Sequence, residues 1–322
     1  MPSFPKPRFT FTYEAAKEID ALREYRNHKP GRKIPDKKDN RLLLATWNIT
    51  NLGLHKRETD DYQVLAEIVS WFDLIALQEV NDRLEGLRSI QQFLPASFKV
   101  LFSDKAGNDE RLAYVYDSDK ISPLEKVGEI AIPPKDHRYI KLPGMEAPFV
   151  GFDRNPYLAA FKAGDFTFVL VNVHQYFGGE DPNSVERRSL ETYAVARWAD
   201  LRRRSKYAYT PNIIALGDFN LPKVDKGDPI YRALTARGLR LPEHSTRISS
   251  SISADTAYDQ IAFFPGAAKQ RFTMHSGVFD FDGGLFRNLW ETRTEKQFRS
   301  YVRYYISDHR PMWAEFEIEH IA

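Results

Sequence analysis

Residues 41–53 read RLLLATWNITNLG. The apolar run that starts at Leu42 is nearly unbroken and stops at the amide of Asn48. A short apolar run of this kind reads as a strand buried on both faces. The same arrangement recurs outward from it. LIALQ ends in Glu79, FVLVNV ends in His174, and IIALG ends in Asp218, with Asn220 two residues on. Asp259 opens QIAFF, and Asp308 and His309 precede a strand that starts at Met312. In α/β folds such strand ends face the crevice where ligands bind. Asp, Glu, Asn and His converging there make an oxygen-rich set that suits magnesium or manganese. Taken singly, each residue has an ordinary structural reading: Asn48 as a turn cap, Glu79 as a helix cap, His174 as a satisfied core histidine, Asp218 as an Asx turn. Their repetition at one strand end after another carries the functional reading.

The segments between these strands alternate. Tyr62, Leu65, Val69 and Phe72 recur at helical spacing, and NDRLEGLRSIQQFL predicts a second amphipathic helix. FKVLF, LAYVYD, YLAAFK and FTFVLVNV read as strands, with no long helix between LAYVYD and the end of FTFVLVNV. A long helix is predicted from about Ser184 to Arg204, with Leu190, Ala194, Trp198 and Leu201 on its inner face. A shorter one has Asp228 as N-cap, Pro229 at its first position and Gly238 just past its end. MWAEFEI closes the chain as a strand. Alternation mixed with consecutive strands predicts a mixed α/β chain. Residues 1–40 read as an extension on a main domain spanning residues 41–322. The extension holds a short helix, with Thr12 as N-cap and Ala16, Ile19 and Leu22 on one face. The basic, breaker-rich stretch HKPGRKIPDKKDNR then forms a linker or a strap over the domain surface.

With 322 residues, 42% of them hydrophobic, the chain can build one large core. Lys plus Arg is 46 against 44 Asp plus Glu, and a net charge of +2 means that any polyanion site must be local. The chain has no cysteine, which excludes disulfides, thiolate catalysis and zinc–thiolate sites. No apolar run approaches the roughly 20 residues of a membrane span. MPSFPKPRFTFTYEAAKEID lacks the apolar stretch of a secretory signal. These features lead us to expect a cytoplasmic protein with no membrane partner; they predict no oligomeric state.

Read in order, TWNITNLG, LQEV, NVH, GDFN, YDQI and SDHRP resemble the endonuclease/exonuclease/phosphatase superfamily, which includes deoxyribonuclease I, exonuclease III and the neutral sphingomyelinases. The resemblance runs from about Leu42 to the C-terminus. It implies a four-layer α/β/β/α sandwich: two packed mixed β-sheets with helices on the outer faces. It also implies a metal-dependent phosphodiesterase using Mg2+, with Mn2+ as a substitute. Residue by residue, Glu79 matches the metal carboxylate, with Asn48 and Asp308 close to the same ion and Asn48 also at the substrate. Asp218 and Asn220 match residues that position the attacked phosphate and the nucleophilic water. Asp259 and His309 match a carboxylate–imidazole pair, and His174 matches a second histidine. The chemistry needs these residue types. A phosphodiester is anionic and repels hydroxide, and a metal ion neutralises a non-bridging oxygen. An imidazole held by a carboxylate takes a proton from water near neutral pH. His309 with Asp259 is thus the expected base, Asp218 a rival base, and His174 the expected acid or phosphate stabiliser.

Within the superfamily the deoxyribonuclease I branch is the better match. FDRNPYLAAF resembles its Arg-x-Pro strand, which puts Arg154 where an arginine grips a backbone phosphate. AGNDERLAYVYDSDKI resembles another segment of that branch, which puts Glu110 where a glutamate pairs with His174. YDQIAF stands in place of the WCDRI-like segment of inositol-polyphosphate 5-phosphatases, and HQYFGGEDP in place of the tyrosine and PNG of exonuclease III-like enzymes. The groove-reading positions of deoxyribonuclease I are Asn81 and Asn108 here, with Arg83 or Arg111 as candidate substitutes. The expected function is a DNA endonuclease that hydrolyses phosphodiester bonds with activated water. The alternative is a phosphoesterase of the same fold acting on a phospholipid, a phosphoinositide or a nucleotide-type small substrate. Arg202, Arg203 and Arg204, at the end of the long helix, complement its dipole or face a polyanion. Arg293, Lys296, Arg299 and Arg303, interleaved with Phe298, Tyr301, Tyr304 and Tyr305, read as a loop able to track a phosphate backbone and stack bases.

Overall fold

In the computed structural model, which describes residues 4–319 apart from residues 245 and 247, the apolar run at Leu42 is a strand buried almost throughout. The chain passes through α1 (Ala15–His28), β1 (Arg41–Leu52), α2 (Thr59–Ser70), β2 (Leu74–Asn81), α3 (Glu85–Gln91), β3 (Phe98–Phe102), β4 (Glu110–Asp117), β5 (Ile121–Glu129), α4 (Pro134–His137), β6 (Tyr157–Ala163) and β7 (Phe166–His174). It continues through α5 (Pro182–Arg203), β8 (Ile213–Asp218), α6 (Pro229–Thr235), β9 (Asp259–Phe263), α7 (Ala267–Arg271), β10 (Phe272–Val278), α8 (Arg287–Thr292), α9 (Glu295–Tyr305) and β11 (Met312–Glu317). One mixed sheet has six strands in the order β10-β11-β1-β2-β4-β3; the other has five in the order β5-β6-β7-β8-β9.

Strand alternation assigns the layers. Leu42 and Leu44 of β1 enter the core between the sheets, while Leu43, Ala45 and Trp47 point outward onto α2, α3, α8 and α9. In β7, Phe168 and Leu170 face the first sheet, and Val169, Val171 and Val173 pack on α5 and α6. Three apolar cores therefore separate four layers, which is the α/β/β/α sandwich that the resemblance implied. Rings dominate between the sheets: Tyr114 meets Phe161 edge-on at 5.4 Å, and Phe166, Phe168 and Phe316 complete the cluster. Each such ring buries about 150–250 Å². A polar network crosses the same interface. Gln78 Nε2 donates to Asn172 Oδ1 at 2.7 Å, and Asn172 Nδ2 donates to the carbonyls of Leu77 and Ala113, each at 3.1 Å. These pairings satisfy the buried amides and fix the two sheets just beneath the residues next in sequence to Gln78 and Asn172.

The topology gathers the polar strand ends on one edge. β1 and β2 run parallel, as do β7 and β8, so Asn48, Glu79, His174 and Asp218 leave the sandwich at the same end. β4, β9 and β11 run antiparallel to neighbouring strands, so their beginnings lie on that edge too. Glu110 therefore opens beside Asn81, and Asp259 pairs with Asp218. The turn holding Asp308 and His309 precedes Met312, which pairs with Thr46.

Several sequence expectations need correction. α1 begins at Ala15, with Glu14 rather than Thr12 at the cap position. Phe11 and Tyr13 precede it and are tied to the domain: Phe11 packs on Tyr301 at 5.4 Å, and Tyr13 Oη donates to Asp61 at 2.5 Å. Residues 4–40 lie against the helical layer of the six-stranded sheet, with Leu22 and Ile34 buried and Arg32 paired with Asp280 at 2.8 Å. Leu201, placed on the inner face of the long helix, is 45% exposed. The last turn directs Asp200 inward instead, onto Arg203, Arg204 and Arg237 at 3.0, 2.8 and 2.8 Å. The stretch read as a basic aromatic loop is the helix α9, opened by a capping box between Thr294 and Gln297. Its Phe298, Tyr301, Tyr304 and Tyr305 are buried, so none offers a face to a base. β5 and β10 were not anticipated. Both are edge strands with exposed positions, and β5 carries Pro123 and Gly128. No helix among the described residues is long and apolar enough to cross a membrane.

Candidate active site

Both histidines converge on one carboxylate oxygen. His174 Nε2 lies 3.7 Å from Asp218 Oδ2, and His309 Nε2 lies 3.8 Å from the same atom. Each ring has a carboxylate at its other nitrogen: Glu110 Oε1 is 3.2 Å from His174 Nδ1, and Asp259 Oδ2 is 2.7 Å from His309 Nδ1. Asn48 links these groups to Glu79, donating from Nδ2 to Asp218 Oδ2 and to Glu79 Oε1, both at 3.0 Å.

Local backbone geometry aims the side chains. Glu79 sits where the ladders to β1 and β4 shift register, with φ 58°, a conformation that costs a non-glycine residue about 1–3 kcal/mol. Its Oε2 accepts the backbone N–H of Asn51 at 2.8 Å. Gly217, at φ 134°, lets β8 pass close to β7 immediately before Asp218. Asp218 Oδ1 accepts the backbone N–H of Asn220 at 2.8 Å, so the Asx turn of GDFN is present and coexists with the contact to Asn48. Asn220, at φ 49°, donates from Nδ2 to the Gln175 carbonyl at 2.9 Å. The SDH turn is tied to β1: Ser307 Oγ donates to the Asn48 carbonyl at 2.6 Å, and Trp47 Nε1 donates to the His309 carbonyl at 2.7 Å.

Arg154 sits differently from the expected phosphate contact. It is 3% exposed and faces inward. Its Nε and Nη2 donate to the carbonyls of His174 and Gln175, each at 2.9 Å, and Nη1 lies 2.9 Å from Glu110 and 3.0 Å from Asp153. The guanidinium is committed to holding the end of β7 and the carboxylate behind His174. At the groove-reading positions, Asn108 and Arg83 are exposed, while Arg111 is held by Asp82 at 2.6 Å and by the Ser103 carbonyl at 2.7 Å.

The electrostatics follow from burying many carboxylates together. Burial pushes Glu79 above the ordinary carboxylate value, and the charges of Glu110 and Asp308 add to the push against the pull of His174. For Asp218 burial acts upward, but His309 and His174 outweigh it and hold the group below its ordinary value. Glu110 is likewise held low by His174 and Arg154 against burial. His309 is raised well above the ordinary imidazole value, because Asp259 and Asp218 outweigh the opposing effect of burial. His174 is raised by Glu110 and Asp218 against burial and Arg154. Burial raises Asp259 to about 6, against the pull of the His309 imidazole.

Such a site fits a cation. Glu79, Glu110 and His174 form one group of ligand-capable atoms within 4.8 Å of one another, and Asp218, Asp259 and His309 form another. Asn48 Oδ1 and Asp259 Oδ1 are buried without a hydrogen-bond partner among the described residues. Of the expected metal residues, Asn48 and Glu79 are in direct contact. Asp308 is half-buried on the same edge, its carboxylate held by the Thr50 hydroxyl. A cation here would relieve the repulsion that raises Glu79 and lower the affinity of the histidines for protons.

Sequence reasoning missed Thr50, Asn51, Ser307 and Gln175. The first two lie in TWNITN just beyond Asn48, and their polar alternation after an apolar strand was the available signal. Gln175 follows His174 directly; it is buried, and neither atom of its side-chain amide has a hydrogen-bond partner among the described residues.

The chain matches no protein-family profile. It is 31% identical over 202 residues to a protein named deoxyribonuclease from Thioalkalivibrio sp. (strain K90mix), a match covering 60% of this chain and 50% of that one. The chain thus spans about half the length of this curated relative. Among solved structures, an endonuclease/exonuclease/phosphatase family protein from Bacteroides thetaiotaomicron superposes with a TM-score of 0.56 at 21% identity, covering 88% of this chain and 97% of the other. The chain has the endonuclease/exonuclease/phosphatase fold. Truncated TDP2 from Caenorhabditis elegans shares that fold at TM-score 0.56 and 17% identity, over 88% of this chain and all of that one (100%). A mannosyl-6-phosphatase of B. thetaiotaomicron shares it at 0.53 and 20%, over 85% and 98% of the two chains. In this chain the endonuclease/exonuclease/phosphatase fold brings Asn48, Glu79, Glu110, His174, Asp218, Asn220, Asp259 and His309 to one buried edge.

Proposed function

We propose that this chain is a magnesium-dependent phosphodiesterase that hydrolyses DNA by attack of water. The observation that carries this reading is the convergence of His174 and His309 on Asp218, each imidazole backed by its own carboxylate. The DNA substrate rests on the match to the Thioalkalivibrio protein named a deoxyribonuclease. Glu79, Asn48 and Asp308 would hold a magnesium ion, which would supply positive charge to the phosphate and its leaving oxygen. His309 accepts the proton of the attacking water at Nε2, while Asp259 at Nδ1 fixes the tautomer and stabilises the imidazolium. Asp218 and Asn220 orient the water and the phosphate. His174 offers Nε2–H to a phosphoryl or leaving oxygen, with Glu110 holding Nδ1. Arg154 acts through Glu110 and the β7 end, as a positioning residue.

The test is incubation of the purified protein with supercoiled plasmid in magnesium or manganese, in EDTA, and with a His309→Ala variant whose fold is checked by circular dichroism. Metal-dependent nicking that is lost in EDTA and in the folded variant is the expected result. A folded variant with near-normal nicking overturns the assignment of His309. No cleavage in any metal overturns the DNA reading, and hydrolysis of small phosphoesters in the same conditions would then favour a phosphoesterase of the same fold.

A further inference from the structure

α9 carries its polar residues in an order that the catalytic chemistry does not use. Lys296, Arg299 and Arg303 stand at spacings of three and four residues, which places them on one face of the helix. The aromatic residues between them are buried on the other face. Successive charges therefore rise by about 4.5 and 6 Å along the axis. They line a hollow of about 560 Å³ that is also bordered by Asp308, next in sequence to His309, so the groove reaches the edge of the candidate active site. Pro5 of the N-terminal extension lines the same hollow, and Phe4 lies against Arg303, with the guanidinium 3.9 Å from the ring centroid. The groove runs towards the N-terminus of α9, the positive end of the helix dipole. Besides Asp308, this hollow holds Glu295, and the hollow beyond Arg299 adds Glu24, paired with His28, and Asp282, paired with Arg310. Glu295 pairs with Arg299 Nη2 at 2.5 Å, while Arg299 Nη1 donates to the Ser253 carbonyl at 3.3 Å and the side chain keeps 42% of its surface open. An exposed pair of this kind contributes little and yields readily to a phosphate. Past Arg299 the path enters a second hollow of about 570 Å³, where Trp290 is 52% exposed.

We propose that this groove is a channel for the DNA strand flanking the scissile phosphate. Lys296, Arg299 and Arg303 neutralise successive backbone phosphates, and a base at the far end rests on Trp290. The proposal deepens the phosphodiesterase reading and rests on it for the position of the scissile group. Neutralised phosphates release counterions, so log Kd depends on log salt with a slope of about 0.7 per phosphate on a single strand. Stacking on an indole carries no such slope.

The experiment measures binding of a fluorescein-labelled phosphorothioate oligothymidylate, which resists hydrolysis, by fluorescence anisotropy across a salt series with magnesium present. The proteins compared are the wild type, a Lys296→Ala/Arg299→Ala double variant and a Trp290→Ala variant. Alanine keeps the helix in both exposed positions of α9. The double variant is expected to bind more weakly, with the salt slope reduced by about 1.4. Trp290→Ala is expected to weaken binding with the slope unchanged. A wild-type slope in the double variant overturns the channel, and wild-type affinity in Trp290→Ala overturns its extension to that ring. If the double variant shows the expected slope change but the wild type cleaves no polynucleotide, the groove stands as a strand-binding channel while the DNA-hydrolysis reading falls, so the two failures are distinguishable.

Discussion

The Nε–H of Arg154 donates to the backbone carbonyl of His174 at 2.9 Å, and the same guanidinium faces Glu110, the carboxylate that holds the histidine ring. Arg154 thus fixes both the main chain and the side chain of one residue. Removing its charge in Arg154→Met leaves Glu110 buried without its guanidinium, and the expected loss of stability is about 3–5 kcal/mol. Arg154→Lys restores the charge but not the forked contact to two carbonyls, so it is expected to recover stability in part and nicking activity less. Thermal unfolding and plasmid nicking of the two variants check this; a fully stable Arg154→Met would refute it.

Asp259 meets His309 at 2.7 Å, and its role in orientation is separable from its role in folding. Asp259→Asn keeps the shape, removes a desolvated charge and sets the wrong tautomer. The nicking rate is expected to fall by a factor on the order of 10³–10⁴. The melting temperature should stay close to that of the wild type, as differential scanning calorimetry would report.

Gly217 carries the approach of β8 to β7. A Cβ there would stand 2.1 Å from the Val173 carbonyl oxygen, at a φ of 134° that side-chain-bearing residues rarely adopt. Gly217→Ala is expected to cost about 3 kcal/mol or more, since backbone and not a flexible side chain must yield. It should also displace Asp218 and abolish activity in whatever fraction folds. Urea denaturation followed by tryptophan fluorescence gives the stability difference.

Stability should fall between about pH 4.5 and 7 because of Glu191, whose value is pushed up to about 7 by burial, against hydrogen bonds from the backbone of Tyr176 and Asp153 and the charge of Arg187. The folded value lies above the unfolded one, so the folded protein holds this proton where the unfolded chain has lost it. The stabilising contribution is complete below the unfolded value and is gone once the pH has risen through the folded one. The loss is about 3 kcal/mol. Glu191→Gln should flatten this part of the profile, and an unchanged slope in denaturation measured across that range would count against it.

The candidate site was largely legible because its residues end apolar runs, and an apolar run that stops at Asp, Glu, Asn or His is visible without any knowledge of partners. Asn48, Glu79, His174 and Asp218 all belong to that pattern. Arg154 was expected at a phosphate because an Arg-x-Pro segment reads the same whether the arginine faces solvent or two carbonyls. α9 was read as a loop because its buried aromatic face and its basic face alternate every three or four residues, which resembles mixed composition until the helix separates them. The edge strands β5 and β10 lack the double burial that makes β1 conspicuous.

From the sequence alone came the strand ends, the chemistry they imply and a mixed α/β chain, because period and residue type are local properties. The four-layer sandwich was implied by the resemblance of the ordered motifs to a known family. Tertiary structure decided which ends meet. Only the parallel and antiparallel pairings bring Glu110, Asp259 and His309 to the edge that holds Asn48 and Asp218. Only packing turns Arg154 inward and lays residues 4–40 along the helices. Those outcomes depend on distances between residues far apart in the chain, and no local pattern encodes them.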